Sequence, residues 1–273
     1  MVGIVVVSHS RRLAEAAVEL ALEMVQSNPP PIEIAAGLDD HILGTDAARV
    51  TAAIDRVASP DGVLVVMDLG SAILSAELAV ELRGDPSGCP IVLSDAPLVE
   101  GLVAAVTLAA AGAPLAEIAA EASQAGQIKT KLLGVDAAAP KMGQGRADAP
   151  DASIELAIHN QHGLHARPAA RLVETVRRFD AEVTVRNLTQ PGPAVSGRSL
   201  SALSTLGALA GHHVQVSASG RQAREALAAI AALVHRSFDD AVAAGGRSRH
   251  QTEGRGNPKT AGCARPPVTR HFP

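Results

Sequence analysis

Two units in tandem, a doubly wound parallel α/β sheet and then a small α+β domain, are the fold class this sequence predicts. Three observations carry that expectation. Continuous apolar runs at Val2–Val7 and Val63–Met67 alternate with segments of helical period, as parallel strands buried on both faces require. From residue 153 the strand-like segments instead alternate apolar and polar residues, as in a sheet with one solvated face. Between them, residues 134–150 are rich in Gly, Ala, Pro, Lys and Asp, show no period and read as a linker. The expected boundaries are 1–133, linker 134–150, 151–242, and a disordered tail over 243–273.

Taken in order, the first strand leads into a helix in which Leu13, Ala16, Ala17, Leu20 and Met24 recur at helical spacing. A short strand at Ile32–Ala35 precedes a helix with an inner face of Val50, Ile54 and Val57. The run Val63–Met67 ends at Asp68-Leu69-Gly70, and a helix opens near Ser71. Ile91-Val92-Leu93 is a further strand, followed by helices near 98–111 and 114–126. Strands alternating with helices give a parallel sheet, and a flavodoxin-like order 2-1-3-4 makes the first and third strands neighbours. In the second unit Ile154, Leu156 and Ile158 alternate, then Ala169, Leu172, Val173 and Val176 take helical period. Val183 and Val185 mark a strand before the turn Pro191-Gly192-Pro193. Leu200, Leu203 and Leu206 mark a short helix, Val214 and Val216 a strand, and Leu227, Ile230, Ala231 and Val234 a last helix. Helices on one face of an antiparallel sheet follow from this order.

Composition narrows the function. A net charge of −4, three Phe and neither Trp nor Tyr give neither the basic surface nor the stacking platform of a nucleic-acid binder. The two cysteines, Cys89 and Cys263, fit neither a disulfide framework nor a zinc spacing, which suits a reducing cytoplasm. Met1-Val2-Gly3-Ile4 runs straight into a strand without the pattern of a secretion signal. No segment approaches the roughly 18 apolar residues of a membrane span.

Two histidines stand where chemistry is expected. His165, in Gly163-Leu164-His165-Ala166-Arg167-Pro168-Ala169, lies at a helix start, because proline is tolerated in the first helical turn. Unpaired amides and the helix dipole favour an anion there, and Arg167 adds a guanidinium suited to phosphate. An imidazole with a pKa near about 6.5 is substantially neutral at cytoplasmic pH and can be a nucleophile; the structural alternative is a helix cap. A metal role for His162 and His165 lacks Cys or acidic partners, so no metal is expected. His9 follows the first strand and Asp68 the third, both at the carboxyl edge where doubly wound sheets gather ligands. A carboxylate accepting Nδ1–H fixes the tautomer and leaves Nε2 as nucleophile. Ser10, Gly70 and Ser71 then offer hydroxyl and backbone donors to phosphoryl oxygens.

Gly163 to Ala169, with the order of elements over 153–240, resembles HPr, the histidine phosphocarrier of the sugar phosphotransferase system and an open-faced α+β sandwich. Arg198-Ser199-Leu200 resembles the segment that carries that family's regulatory serine, and Ser199 also suits a helix N-cap. Val5-Val6-Val7-Ser8-His9-Ser10, Val66-Met67-Asp68-Leu69-Gly70-Ser71-Ala72 and Ser94-Asp95-Ala96-Pro97-Leu98-Val99-Glu100-Gly101 resemble the mannose-type IIA domain. More narrowly they resemble the version found in the DhaM family, the phosphotransfer subunits of phosphoenolpyruvate-dependent dihydroxyacetone kinase. That resemblance implies phosphohistidines at His9 and His165 and a homodimer formed by the first domain. It also implies partners: enzyme I, a separate HPr, a DhaL-type subunit bearing ADP and a DhaK-type substrate subunit. Phosphoenolpyruvate is then the indirect donor, and no bound cofactor is needed. Asp95 and Pro97 are expected to shape the cleft. The tail from Gly256 to Arg270 faintly resembles the opening of enzyme I, and otherwise reads as low-complexity chain. Two other functions stay open: a mannose-type transporter IIA component, and a regulatory module acting by phosphorylation-dependent binding.

Overall fold

Strand β1 (Gly3–Ser8) lies at the centre of the first lobe in a computed structural model of the chain, completely buried along its length. The structure describes residues 1–39, 42–84, 88–127, 150–160, 163–190 and 192–239. The linker and tail expected at 134–150 and 243–273 therefore lie outside the described residues, Pro150 excepted.

The first lobe continues through α1 (Arg11–Leu22), β2 (Ile32–Ala36), α2 (Ala47–Val57), β3 (Val63–Met67), α3 (Gly70–Arg83), β4 (Ile91–Leu93), α4 (Leu98–Ala110) and α5 (Leu115–Ala125). All strand pairs are parallel, and the order is β2-β1-β3-β4, as expected. Buried β-branched residues on both faces of β1 and β3 exclude water from the ladder, so two cores form. One holds Ile4, Val6, Leu64 and Val66 under α1, α4 and α5; the other holds Val5, Val7, Val63 and Val65 under α2 and α3.

The inner face of α1 differs from the expected one. Ala14, Ala17 and Ala21 are buried, whereas Leu13 and Leu20 are 46% and 45% exposed. Small side chains let α1 lie close to α4 and the sheet, so the buried stripe is shifted from the one the leucines suggest.

The second lobe comprises β5 (Ala152–Ala157), α6 (Ala166–Arg177), β6 (Glu182–Asn187), β7 (Val195–Ser196), α7 (Leu200–Ser204), β8 (His213–Ser219) and α8 (Ala223–His235). Its antiparallel sheet has the order β5-β8-β6-β7. Along β6 burial alternates strictly, with Val183 and Val185 inward and Thr184 and Arg186 outward. Leu172, Val176, Leu203, Leu227 and Ile230 from the helices complete the core.

The lobes touch. Buried apolar residues under α1, α4 and α5 are continuous with the core of the second lobe, and α4 packs on α6 as α5 does on α7. Met1–Asp240 forms one compact unit.

Candidate functional site

Parallel pairing of β1 with β3 aligns Val7 with Met67, so the next residues, Ser8-His9 and Asp68, emerge side by side at the carboxyl edge. The Asp68 carboxylate is held by four donors. Its Oδ1 accepts from His9 Nδ1 at 2.9 Å and Leu69 N at 2.7 Å; its Oδ2 accepts from Ser8 Oγ at 2.9 Å and His9 N at 2.8 Å. Burial raises the Asp68 pKa, but the bonds from His9, Ser8 and Leu69 outweigh it and leave the value below the ordinary carboxylate range. An ionised Asp68 cannot donate, so Nδ1 of His9 carries the ring proton and Nε2 carries the lone pair. Nε2 lies 2.6 Å from Ser71 Oγ, which accordingly donates to it.

The remaining residues of this edge divide by role. Ser71 reaches the ring, and Gly70 begins α3, whose first amides, Gly70 N and Ser71 N, precede any intrahelical acceptor, while Ala72 N already donates to Leu69 O at 2.9 Å. A Cβ added to Gly70 meets nothing within 4 Å, so that side of the backbone is open. Ser10 caps α1, its Oγ accepting from Leu13 N at 3.3 Å, so its hydroxyl is already engaged by the helix. Of the residues expected to shape the cleft, Asp95 accepts from Ser123 on α5, and Pro97 is the N-cap residue of α4. Ser8 was not assigned a role by the sequence. It is completely buried, and its hydroxyl donates to Asp68 while accepting from Ser10 N at 3.2 Å. The only sequence signal for it was a buried polar residue ending an apolar run.

His165 is the N-cap residue of α6, extended at φ −82° and ψ −174°, yet its side chain makes no capping bond. The helix-cap reading therefore holds for the backbone but not for the side chain of this exposed residue. Gly163 sets the approach. Its φ is +73°, and a Cβ there would lie 2.2 Å from Ala208 O and 2.6 Å from Leu209 Cα. The loop is pinned by Leu164 N donating to Ala208 O at 2.7 Å and by Gly163 N donating to Asn160 O at 3.1 Å. Gly163→Ala is expected to destabilise the second lobe by about 2–6 kcal/mol, from left-handed backbone strain plus overpacking. Thermal unfolding checks this; a variant as stable as the parent contradicts it.

Arg167 stands two residues beyond His165. Its Nη2 donates to Glu23 Oε2 at 2.9 Å, while its Nε is buried and has no hydrogen-bond partner among the described residues. An unsatisfied guanidinium donor beside a helix N-terminus suits an anion. Ser199 caps α7, its Oγ accepting from Ala202 N at 3.0 Å and donating to Glu121 of the first lobe at 3.0 and 2.9 Å. His162 lies outside the described residues.

A histidine oriented by a carboxylate at a sheet edge, and another at a helix start beside an arginine, are two arrangements whose chemistry suits a phosphoryl acceptor. Comparison with protein families agrees. Residues 3–119 match the family described as the PTS system fructose IIA component, and residues 152–236 match PTS HPr component phosphorylation site. Two phosphotransferase-system domain types, a IIA type and an HPr type, are thus matched in tandem along the chain.

The likeness over most of the chain is more specific. It is 39% identical over 244 residues to the PEP-dependent dihydroxyacetone kinase phosphoryl donor subunit DhaM of Escherichia coli K12, covering 88% of this chain and 51% of that protein. Against the DhaM of Pantoea ananatis the identity is 40% over 245 residues, with the same coverages of 88% and 51%. The second lobe alone is 43% identical over 93 residues to a multiphosphoryl transfer protein of Salmonella typhimurium, 34% of this chain and 23% of that one. An HPr crystal structure from Thermoanaerobacter tengcongensis is 31% identical with a TM-score of 0.31, covering 33% of this chain and 97% of that chain. The chain spans about half the length of the DhaM relatives it matches. Among the described residues no helix is long and apolar enough to cross a membrane.

Proposed function

We propose that this chain is a phosphohistidine relay that serves as phosphoryl donor to a dihydroxyacetone kinase. Enzyme I, charged by phosphoenolpyruvate, phosphorylates His165, or a separate HPr takes that step. The phosphoryl group passes to His9 and then to ADP held by a DhaL-type subunit, whose DhaK-type partner presents dihydroxyacetone. The observation that carries this reading is the 2.9 Å contact between Asp68 Oδ1 and His9 Nδ1, which points Nε2 away from the carboxylate.

The chemistry balances without an added proton carrier. The Nε2 lone pair of His9 attacks phosphorus in line, the P–N bond to the donor histidine breaks, and that histidine recovers its lone pair. The His9 ring becomes cationic while it carries phosphate, and ionised Asp68 stabilises it through Nδ1–H. Ser71 gives up Nε2 to the phosphorus and turns its hydroxyl to a phosphoryl oxygen. Neither metal nor bound cofactor is called for on these residues.

DhaM-type identity over 88% of the chain supports this acceptor over a transporter IIB component. Relay between soluble partners suits a cytoplasmic setting. On α3, Leu74, Leu78 and Leu82 form a stripe 66%, 46% and 67% exposed, which supports a homodimer through the first lobe. Regulation at Ser199 would set a phosphate against the Glu121 carboxylate that its hydroxyl meets, and so would act by breaking that contact.

Ser71→Ala tests the proposed hand-over. It is expected to slow phosphorylation of His9 by about 10–100-fold, the worth of one charge-assisted hydrogen bond, with the fold intact. Rapid-quench transfer from phosphorylated HPr measures it, and an unchanged rate removes Ser71 from the mechanism.

A further inference from the structure

The described residues place the two histidines at opposite ends of the first lobe. His9 immediately precedes α1, and Glu23, which holds Arg167, immediately follows it; 12 helical residues at 1.5 Å each separate the two by about 18 Å. The other contacts agree. Leu115 at the start of α5 lies against Gly62, just before β3, whereas Gly126 at its end lies against Pro97, just after β4. The start of α5, carrying Glu117, is therefore at the amino edge of the sheet, with Glu121 about one turn further along.

At that edge the contacts are complementary in charge. Arg177, only 6% exposed in its side chain, is paired with Glu117, its Nη1 lying 3.3 Å from Oε2. Glu121, 7% exposed, accepts from Ser199 Oγ and, at 2.5 Å, from Ser201 N. With its amide oxygen turned to the guanidinium, Gln26 accepts from Arg171 Nε at 3.2 Å and Nη2 at 2.6 Å. The Glu23–Arg167 pair is exposed and weak by itself; buried Glu121 and Arg177 add directed polar contacts to an attachment that the shared apolar core also holds.

We propose that Glu23, Glu117 and Glu121 form a docking surface for the α6–α7 face of the second lobe, parking His165 away from His9 until that lobe is released. It rests on the relay reading only for its trigger. Phosphorylating His165 sets a dianion beside Arg167, where it repels Glu23 and competes with it for the same guanidinium. A protein that charges His165 must approach the end of α6 that carries Glu23's partner, so it too competes with the first lobe. Transfer to His9 then occurs from the undocked lobe, on the same chain or on another.

Distance measurement between spin labels at Glu77→Cys and Arg224→Cys, both exposed positions, tests this in the full chain with Cys263→Ser and His9→Ala. His9→Ala retains any phosphoryl group on His165. The uncharged chain is expected to give one dominant distance. Glu121→Lys is expected to lower the docked-to-open ratio by at least about tenfold. A Glu117→Arg, Arg177→Glu exchange is expected to keep the docked distance that Glu117→Arg alone loses. Adding enzyme I and phosphoenolpyruvate is expected to shift the population to longer distances. Unaltered distances in Glu121→Lys overturn the docking surface, and unaltered distances in a chain shown by mass to be charged overturn its release. A chain that never charges sinks the relay reading instead, while the Glu121→Lys arm still judges the surface.

Discussion

Asp68→Asn is expected to slow phosphorylation of His9 by about 10²–10⁴-fold while the first lobe still folds. Asp68 accepts four hydrogen bonds with two oxygens, two of them from His9 and one each from Ser8 and Leu69. Asparagine has one accepting oxygen and an NH₂ group that must face donors, so the ring loses either its tautomer or its orientation. It also loses the negative charge that stabilises a cationic phosphohistidine. The same variant has a pH signature. The folded pKa of Asp68 lies below its unfolded value, because hydrogen bonding outweighs burial. Its stabilisation is complete above the unfolded value of about 3.9 and disappears as pH falls through the folded one. The difference in unfolding temperature between the parent and Asp68→Asn is therefore expected to narrow below about pH 4. A gap that stays constant down to pH 2 contradicts this assignment.

Arg167→Ala is expected to slow charging of His165 by about 10²–10³-fold, the usual loss for one preorganised donor to a developing anion. Its buried, unpartnered Nε lies in the first turn of the helix that His165 caps, and it supplies positive charge that backbone amides cannot replace. Arg167→Lys keeps the charge without the fork of donors, so partial recovery is expected. Because Glu23 also holds Arg167, the variant is read by the rate of charging by enzyme I in the second lobe's own histidine, with His9→Ala in the background. A rate equal to that of the parent removes Arg167 from the site.

Much of the first site was legible because topology does the work. Once β1 and β3 are recognised as buried parallel strands, the order β2-β1-β3-β4 makes His9 and Asp68 neighbours whatever the side-chain detail. The backbone position of His165 followed as directly from Pro168 three residues on. Hydropathy was a poorer guide to helix faces. In α1 the helix approaches its neighbours through Ala14, Ala17 and Ala21, and the larger leucines point outward. In α3, Leu74, Leu78 and Leu82 recur at helical spacing, yet Leu74 and Leu82 are among the most exposed apolar side chains. Ser8 was hidden because a buried hydroxyl that steadies a carboxylate has no spacing rule. Glu23 with Arg167, and Glu121 with Ser199, join residues far apart in the chain, and no local pattern links them.

The most direct test of the relay is intact-protein mass spectrometry after incubation with phosphoenolpyruvate and enzyme I, on the parent, His9→Ala and His165→Ala, with a separate HPr supplied to the last. Two labile phosphoryl groups are expected on the parent and one on each variant. Adding the DhaL-type subunit with ADP is expected to discharge His9. A His9 that never accepts phosphate contradicts the relay; a charged His9 that the ADP-bearing subunit leaves untouched contradicts the kinase assignment and favours a transporter or regulatory acceptor.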